Sequence, residues 1–151
     1  METLRVVPTR PRSRDLTVLQ ENQPVARIVF TWLTGIGKLI IGDRTYTVRR
    51  THRGLQSFVL EQEGQAIAGA QCKRTLFRQV CIVEYAGRQY PIEARSTFRR
   101  KLVVREGVQY AGYIEPERAF ARPCRACLPA SLPMPVRAFI IALAMRLWID
   151  T

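Results

Sequence analysis

The chain has 151 residues and a mass of 17.3 kDa, a length that fits one domain able to bury a sizeable core. Hydrophobic residues make up 47%, which excludes wholesale disorder. Lys plus Arg total 24 against 12 for Asp plus Glu, so the net charge is +12 and the pI is near 10.6. That balance favours anionic partners such as phosphate headgroups or nucleic acid.

The opening METLRVVPTRPRSRD has no apolar stretch of the kind a secretory signal needs. Arg5, Arg10, Arg12 and Arg14 with Pro8 and Pro11 predict a flexible basic tail over 1–14. The remainder, 15–151, is expected to form a single domain. Met134–Ile149 is the longest apolar segment, but Arg137 and Arg146 interrupt it. It falls short of the ~20 apolar residues a membrane span wants. A cytoplasmic protein is therefore expected, with attachment to the inner membrane surface as a peripheral protein. Arg outnumbers Lys 21 to 3. Arg makes forked contacts to phosphate that Lys cannot, although a genome's base composition raises Arg as well.

From about Asp15 to Ile114 the pattern is strand, turn, strand. Ala26, Ile28, Phe30 and Trp32 alternate with Arg27, Val29 and Thr31, a period of two. Further strands are expected at Lys38–Ile41, Arg44–Arg50, Leu55–Glu61, Gln65–Cys72, Gln79–Tyr85, Arg88–Ala94, Lys101–Arg105 and Val108–Ile114. Gly42-Asp43, Glu63-Gly64, Ala86-Gly87 and Glu106-Gly107 separate several of them. Short strands at this spacing indicate a sandwich or a barrel. The stretch Val59–Ile67 is faintly echoed at Val103–Tyr110, both reading as strand, tight turn, strand.

After Ile114 the prolines at 116, 123, 129, 133 and 135 mark a long irregular connection. One helix follows, over Val136–Asp150, with Pro135 suited to its first position. Apolar side chains surround that helix on every side. Arg137 and Arg146 are nine positions apart and so point to opposite faces at ~100° per residue. A helix without a polar face is enclosed by lipid or by protein. The fold expected is all-β with one helix: an antiparallel β-barrel of short strands enclosing a hydrophobic C-terminal helix. Both arginines then lie near the mouths, reaching water. Ala66, Ala68, Gly69 and Ala70 would let the helix approach one strand closely.

Such a barrel resembles the tubby C-terminal-like superfamily, which includes the LURP-one-related proteins and the phospholipid scramblases. The stretches that carry the resemblance are the strand run from Gly37 to Ile114, with FVLEQEGQAIAGA and GVQYAGYIEPE, and the terminal PVRAFIIALAMRLWID. It spans roughly Val25 to Asp150. The resemblance implies a tubby-like barrel with a central helix, and binding to phosphoinositides or membranes. No lipid-contacting residue of that family has an aligned counterpart here.

In a simple up-and-down meander, alternate turns share a rim. Arg49, Arg50 and Arg53, then Lys73, Arg74 and Arg78, then Arg95, Arg99, Arg100 and Lys101 would lie together, with no acidic residue among those turns. Asp43, Glu61, Glu63 and Glu106 would lie at the opposite rim. Leu76, Phe77 and Phe98 are candidates to insert into a membrane beside the basic residues. The same rim suits a phosphate backbone with bases stacked on the Phe rings. Alternatively the Phe side chains plug the barrel end and the charges are simply solvated.

Little points to catalysis. His52 is the only histidine, and no aspartate lies near a Ser/His pattern. Glu84 and Glu93, on neighbouring strands, could form a carboxylate pair or pair with Arg. Gly35-Ile36-Gly37-Lys38 lacks the spacing of a phosphate loop. The four cysteines, Cys72, Cys81, Cys124 and Cys127, are expected reduced in the cytoplasm. Cys124 and Cys127 have CxxC spacing but no zinc-knuckle context. No metal and no cofactor is expected. The function expected is a non-catalytic module binding anionic surfaces, phospholipid or phosphoinositide headgroups foremost, with nucleic-acid binding or a protein-interaction scaffold as the alternatives.

Overall fold

A computed structural model describes residues 2–30, 37–51, 57–74, 79–94, 101–117 and 123–149, without the side chains of Arg74, Trp148 and Ile149. Twelve strands run β1 (Glu2–Pro8), β2 (Leu16–Gln20), β3 (Gln23–Val29), β4 (Lys38–Ile41), β5 (Arg44–Arg50) and β6 (Ser57–Gln62). They continue as β7 (Gln65–Arg74), β8 (Gln79–Tyr85), β9 (Arg88–Ala94), β10 (Leu102–Glu106), β11 (Gln109–Pro116) and β12 (Cys124–Leu128). The helix α1 (Met134–Ile149) follows. Each strand pairs antiparallel with its neighbours in sequence, and β1 pairs with β12 to close the barrel.

Alternation decides which way each strand faces. Leu4, Val6, Leu16, Val18, Ile28, Leu39, Val48, Leu60, Val83, Ile92, Val104 and Ile114 point inward and are buried. The helix occupies the space they enclose. Val136 and every residue of Ala138–Ala144 are fully buried, which explains the lack of a polar face. Among the described residues no helix is long and apolar enough to cross a membrane.

The two ends of the barrel are built differently. At one end lie five two-residue turns, at 21–22, 42–43, 63–64, 86–87 and 107–108. Glu21-Asn22, Glu63-Gly64 and Ala86-Gly87 have positive φ at both positions, while at the other two only Gly42 and Gly107 do. These are the primed turns whose twist matches that of paired strands. The other end collects the strand ends that longer connections join: Pro8 and Leu16, Val29 and Lys38, Arg50 and Ser57, Arg74 and Gln79, Ala94 and Leu102, Pro116 and Cys124. The helix starts at the tight-turn end and finishes at the long-connection end.

The barrel also repeats internally. The β2–β3, β6–β7 and β10–β11 hairpins each carry a bulge, after Val18, Leu60 and Val104. In all three the residue just before the register shift faces a small one: Ala26, Ala68 or Gly112. The β4–β5 and β8–β9 hairpins between them are regular, pairing Leu39 with Tyr46 and Val83 with Tyr90. The third regular pair is β12 with β1, where Ala126 faces Leu4. Two strands from opposite ends of the chain thus fill the place of a hairpin. The echo between Val59–Ile67 and Val103–Tyr110 falls on two of the bulged hairpins.

Several expectations are corrected. The segment 1–14 is not a flexible tail throughout, because Leu4 and Val6 are fully buried in β1. The folded unit therefore begins before residue 15. The proline-rich connection after Ile114 contains β12, whose Cys124, Ala126 and Leu128 point inward. The helix begins at Met134 rather than Val136, with Val136 and Arg137 donating backbone N–H to the Pro133 carbonyl. Arg137 is largely buried, 8% exposed, rather than solvated at a mouth. Ala68 and Ala70 face the interior, but Ala66 is exposed and Gly69 lies on the outer wall. Cys72 and Cys81 are not thiols: they lie directly opposite on β7 and β8 and form a disulfide.

Candidate functional site

The meander brings the ends of β5, β7 and β9 and the start of β10 to the long-connection end. Of the residues expected to bind anions, Arg49, Arg50, Lys73 and Lys101 are described there with their side chains. Arg74 ends β7, and its side chain lies outside the described structure. Arg53, Arg78, Arg95, Arg99 and Arg100, and the insertion candidates Leu76, Phe77 and Phe98, also lie outside the described residues.

The four described cations have different surroundings. Arg49 points outward and donates to the Glu61 carboxylate at 2.7 Å, so its charge is largely offset. Arg50 has the parity of Val48 and faces the barrel mouth. Its guanidinium carbon sits 5.7 Å from the Phe58 ring centroid. Arg146, in the last turn of α1, lies over the same ring at 4.8 Å. Lys101 lies over Tyr113 at 4.7 Å, on the outer wall. Lys73 is exposed, one residue beyond the disulfide-bonded Cys72. Among the described residues no ion pair engages Arg50, Lys73 or Lys101. Arg10, Arg12 and Arg14 in the first long connection add charge to this end.

Arg146 and Phe58 belong to this end although the sequence did not mark them as a site. Phe58 reads as an ordinary strand residue, and only the register Arg50↔Phe58 places the ring beneath a guanidinium.

The tight-turn end has another character. Glu21, Asp43 and Glu63 occupy its turns, and Glu106 flanks one and pairs with Arg88 at 2.6 Å. There Arg137 donates to Glu2 at 2.7 Å, and Gln20 donates to the same carboxylate oxygen at 2.6 Å.

The remaining chemical candidates separate in space. Glu84 lies opposite Gln89, which donates to it at 3.2 Å, whereas Glu93 lies opposite Val80. The two carboxylates therefore do not face each other. His52, Gly35 and Ile36 lie outside the described residues. Cys124 and Cys127 stand three apart on a strand, so their thiols point to opposite faces. Burial pushes the Cys124 thiol up to about 12. Among the described residues there is no group of three or more His, Cys, Asp or Glu side chains able to hold a metal. A depression of about 300 Å³ lies on the outer wall of β6–β8, lined by Val59, Ile67, Gly69, Glu84 and Tyr85; the interior is taken by α1.

No protein-family model matches the chain, and no curated protein or solved structure matches it either.

Proposed function

We propose that the protein is a non-catalytic binding module for anionic surfaces, with the long-connection end of the barrel as its contacting face and phospholipid or phosphoinositide headgroups as its ligands. The observation that carries this reading is the polarity of the barrel. The meander sends Arg50, Lys73 and Lys101 to one end, while Glu21, Asp43 and Glu63 occupy the turns of the other. Each Lys or Arg near an anionic membrane contributes ~1 kcal/mol, so a cluster on one face gives useful affinity where a scattered charge does not. The interior helix supports the non-catalytic part of the proposal, because it fills the space a substrate would need.

The resemblance to the tubby-like superfamily is supported by a closed antiparallel barrel around a hydrophobic helix, an architecture that does not by itself name a superfamily. Peripheral attachment to the inner membrane surface from the cytoplasm is part of the proposal. In that reducing compartment the Cys72–Cys81 bond would open.

The test is co-sedimentation with neutral, anionic and phosphoinositide-containing vesicles at physiological salt, with an oligonucleotide competitor. Binding to anionic vesicles that survives the competitor supports the proposal. Retention on the oligonucleotide alone, with a steep salt dependence, replaces it with nucleic-acid binding. Failure to bind either ends both readings and leaves an interaction scaffold.

A further inference from the structure

Two strand glycines answer to different demands. A Cβ on Gly112 would strike the Cys127 carbonyl oxygen, so packing requires the glycine there. Gly69, inside β7, is under no such requirement. Its φ is not positive, and a Cβ would meet only the Phe58 carbonyl oxygen, at 3.7 Å. Glycine weakens a strand interior and marks places where another group approaches the backbone closely. Over Gly69 lies the recess of the outer wall.

The strand registers define its shape. Val59, Gly69, Glu84 and Gln89 stand side by side on β6, β7, β8 and β9. Each is next in sequence to a buried core residue, Phe58, Ala70, Val83 or Tyr90, so all four positions face outward. The missing side chain at Gly69 opens a gap of about 300 Å³ between Val59 and Glu84, with Ile67 and Tyr85 adding to its lining. That volume lies at the small end of the ligand-pocket range, ~300–1,000 Å³.

The charge beside the gap is negative. On the wall Asp15, Glu61, Glu106 and Glu115 each meet an arginine. Glu84 meets none among the described residues, in a chain where basic residues outnumber acidic ones 24 to 12. Its partner is neutral: the Gln89 amide donates to Oε1 at 3.2 Å. The arginines on either flank are engaged elsewhere. Arg49, opposite Val59, is drawn to Glu61, and Arg88, opposite Tyr85, to Glu106 on β10.

We infer that the recess over Gly69 binds a small organic ammonium ion, an alkyl- or arylalkylamine. Its apolar body fills the gap between Val59, Ile67 and Tyr85 while its ammonium group donates to Glu84. Gln89 steadies the carboxylate and leaves Oε2 for the ligand. An amine of ordinary basicity is charged at neutral pH. Positive charge elsewhere on the chain is screened beyond ~8 Å at physiological salt. The site is on the wall and stands apart from the anion-binding proposal.

The experiment is a two-dimensional amide NMR titration of the full chain with 2-phenylethylammonium, 2-phenylethanol and 3-phenylpropanoate at pH 7 and physiological salt. The ammonium probe should give saturable shifts centred on Gly69, Glu84 and Tyr85. An exposed ion pair contributes modestly, so the ammonium probe should bind about fivefold more tightly than the alcohol, and the carboxylate more weakly than either. Glu84→Gln should bring the ammonium probe down to the affinity of the alcohol. Gly69→Leu, which fills the gap, should weaken the ammonium probe and the alcohol at least tenfold. Asp43→Asn, which removes the same charge from a distant turn, should leave affinity within twofold. Thermal melting checks folding; Glu84 is exposed, so its variant carries the test should Gly69→Leu fail to fold. Absence of saturable shifts at these amides, equal affinity for all three probes, or undiminished binding of the ammonium probe by Glu84→Gln would each overturn the proposal.

Discussion

Arg137, in the first turn of the central helix, donates to the carboxylate of Glu2, the first residue of the first strand, at 2.7 Å. The contact joins the first strand to the start of the central helix at the barrel's tight-turn end. A cation at a helix N-terminus opposes the helix dipole, and this one is buried. Glu2 supplies the compensating charge.

The Glu2 carboxyl is held below its ordinary value of 4.5, chiefly by the hydrogen bond from Arg137. A depressed carboxylate contributes stability that is present above the unfolded value and is lost as pH falls through the folded one. Glu2→Gln should therefore lower the melting temperature at pH 7. The gap between variant and parent should narrow as the buffer is taken down through the ordinary value of 4.5 and close once it is below the folded one. A gap that persists unchanged into acid would show that the charge of Glu2 is not what matters. Melting curves at several pH values, followed by circular dichroism, decide this.

Gly112 and Gly69 look alike in sequence, each following an Ala in a strand, yet substitution should separate them. A Cβ on Gly112 would come 2.1 Å from the Cys127 carbonyl oxygen, a backbone atom that cannot swing away. Gly112→Ala should destabilise by about 2–3 kcal/mol, the range for overpacking a tight interior. A Cβ on Gly69 would meet only the Phe58 carbonyl, at 3.7 Å. Gly69→Ala should be neutral or stabilise by up to about 1 kcal/mol, because it restricts the unfolded chain. Urea titration of both variants measures the contrast.

How much of this was legible in the sequence follows from where each signal resides. Strands from β3 to β11 announce themselves through period-two alternation and local turn chemistry, since each partner is the next segment along. The helix announces itself through an apolar surface with no polar face. The closing pair, β1 and β12, gives no such signal. Leu4 and Ala126 are partners, but no turn links them, and Arg and Pro residues surround both segments. The Cys72–Cys81 bond was hidden for a related reason: nine residues of separation become a direct cross-strand pair only once the β7–β8 register is known. Basic residues at alternate turns were legible as charge. The meeting of Arg50, Phe58 and Arg146 was not, because it depends on which way the helix runs through the barrel.

The disulfide should act as a clip on β7–β8. Closing a loop of this size limits the unfolded chain by about 2–3 kcal/mol on the chain-entropy model. Reduction, or the double change of Cys72 and Cys81 to Ser, should lower stability by that amount and leave the fold intact, because the twelve-strand ladder does not depend on the bond. Denaturation with and without dithiothreitol tests the magnitude. In the native state Cys124 should remain unreactive toward a thiol reagent at pH 8, since its thiol is buried and pushed up to about 12.

The polarity of the barrel leads to a comparison between its ends. Lys73 and Lys101 lie at the long-connection end, whereas Arg44 begins β5 at the tight-turn end. If only net charge mattered, reversing any one of the three would weaken binding to anionic vesicles equally. A contacting face predicts otherwise. A membrane charge is felt within about a Debye length, ~8 Å at physiological salt, and the ends of a barrel are farther apart than that. Lys73→Glu and Lys101→Glu should each weaken vesicle binding at least fivefold, the equivalent of ~1 kcal/mol lost per cation. Arg44→Glu should change it less than twofold. Equal losses at all three positions would mean that the whole positive field, and not one end of the barrel, draws the protein to its anionic partner.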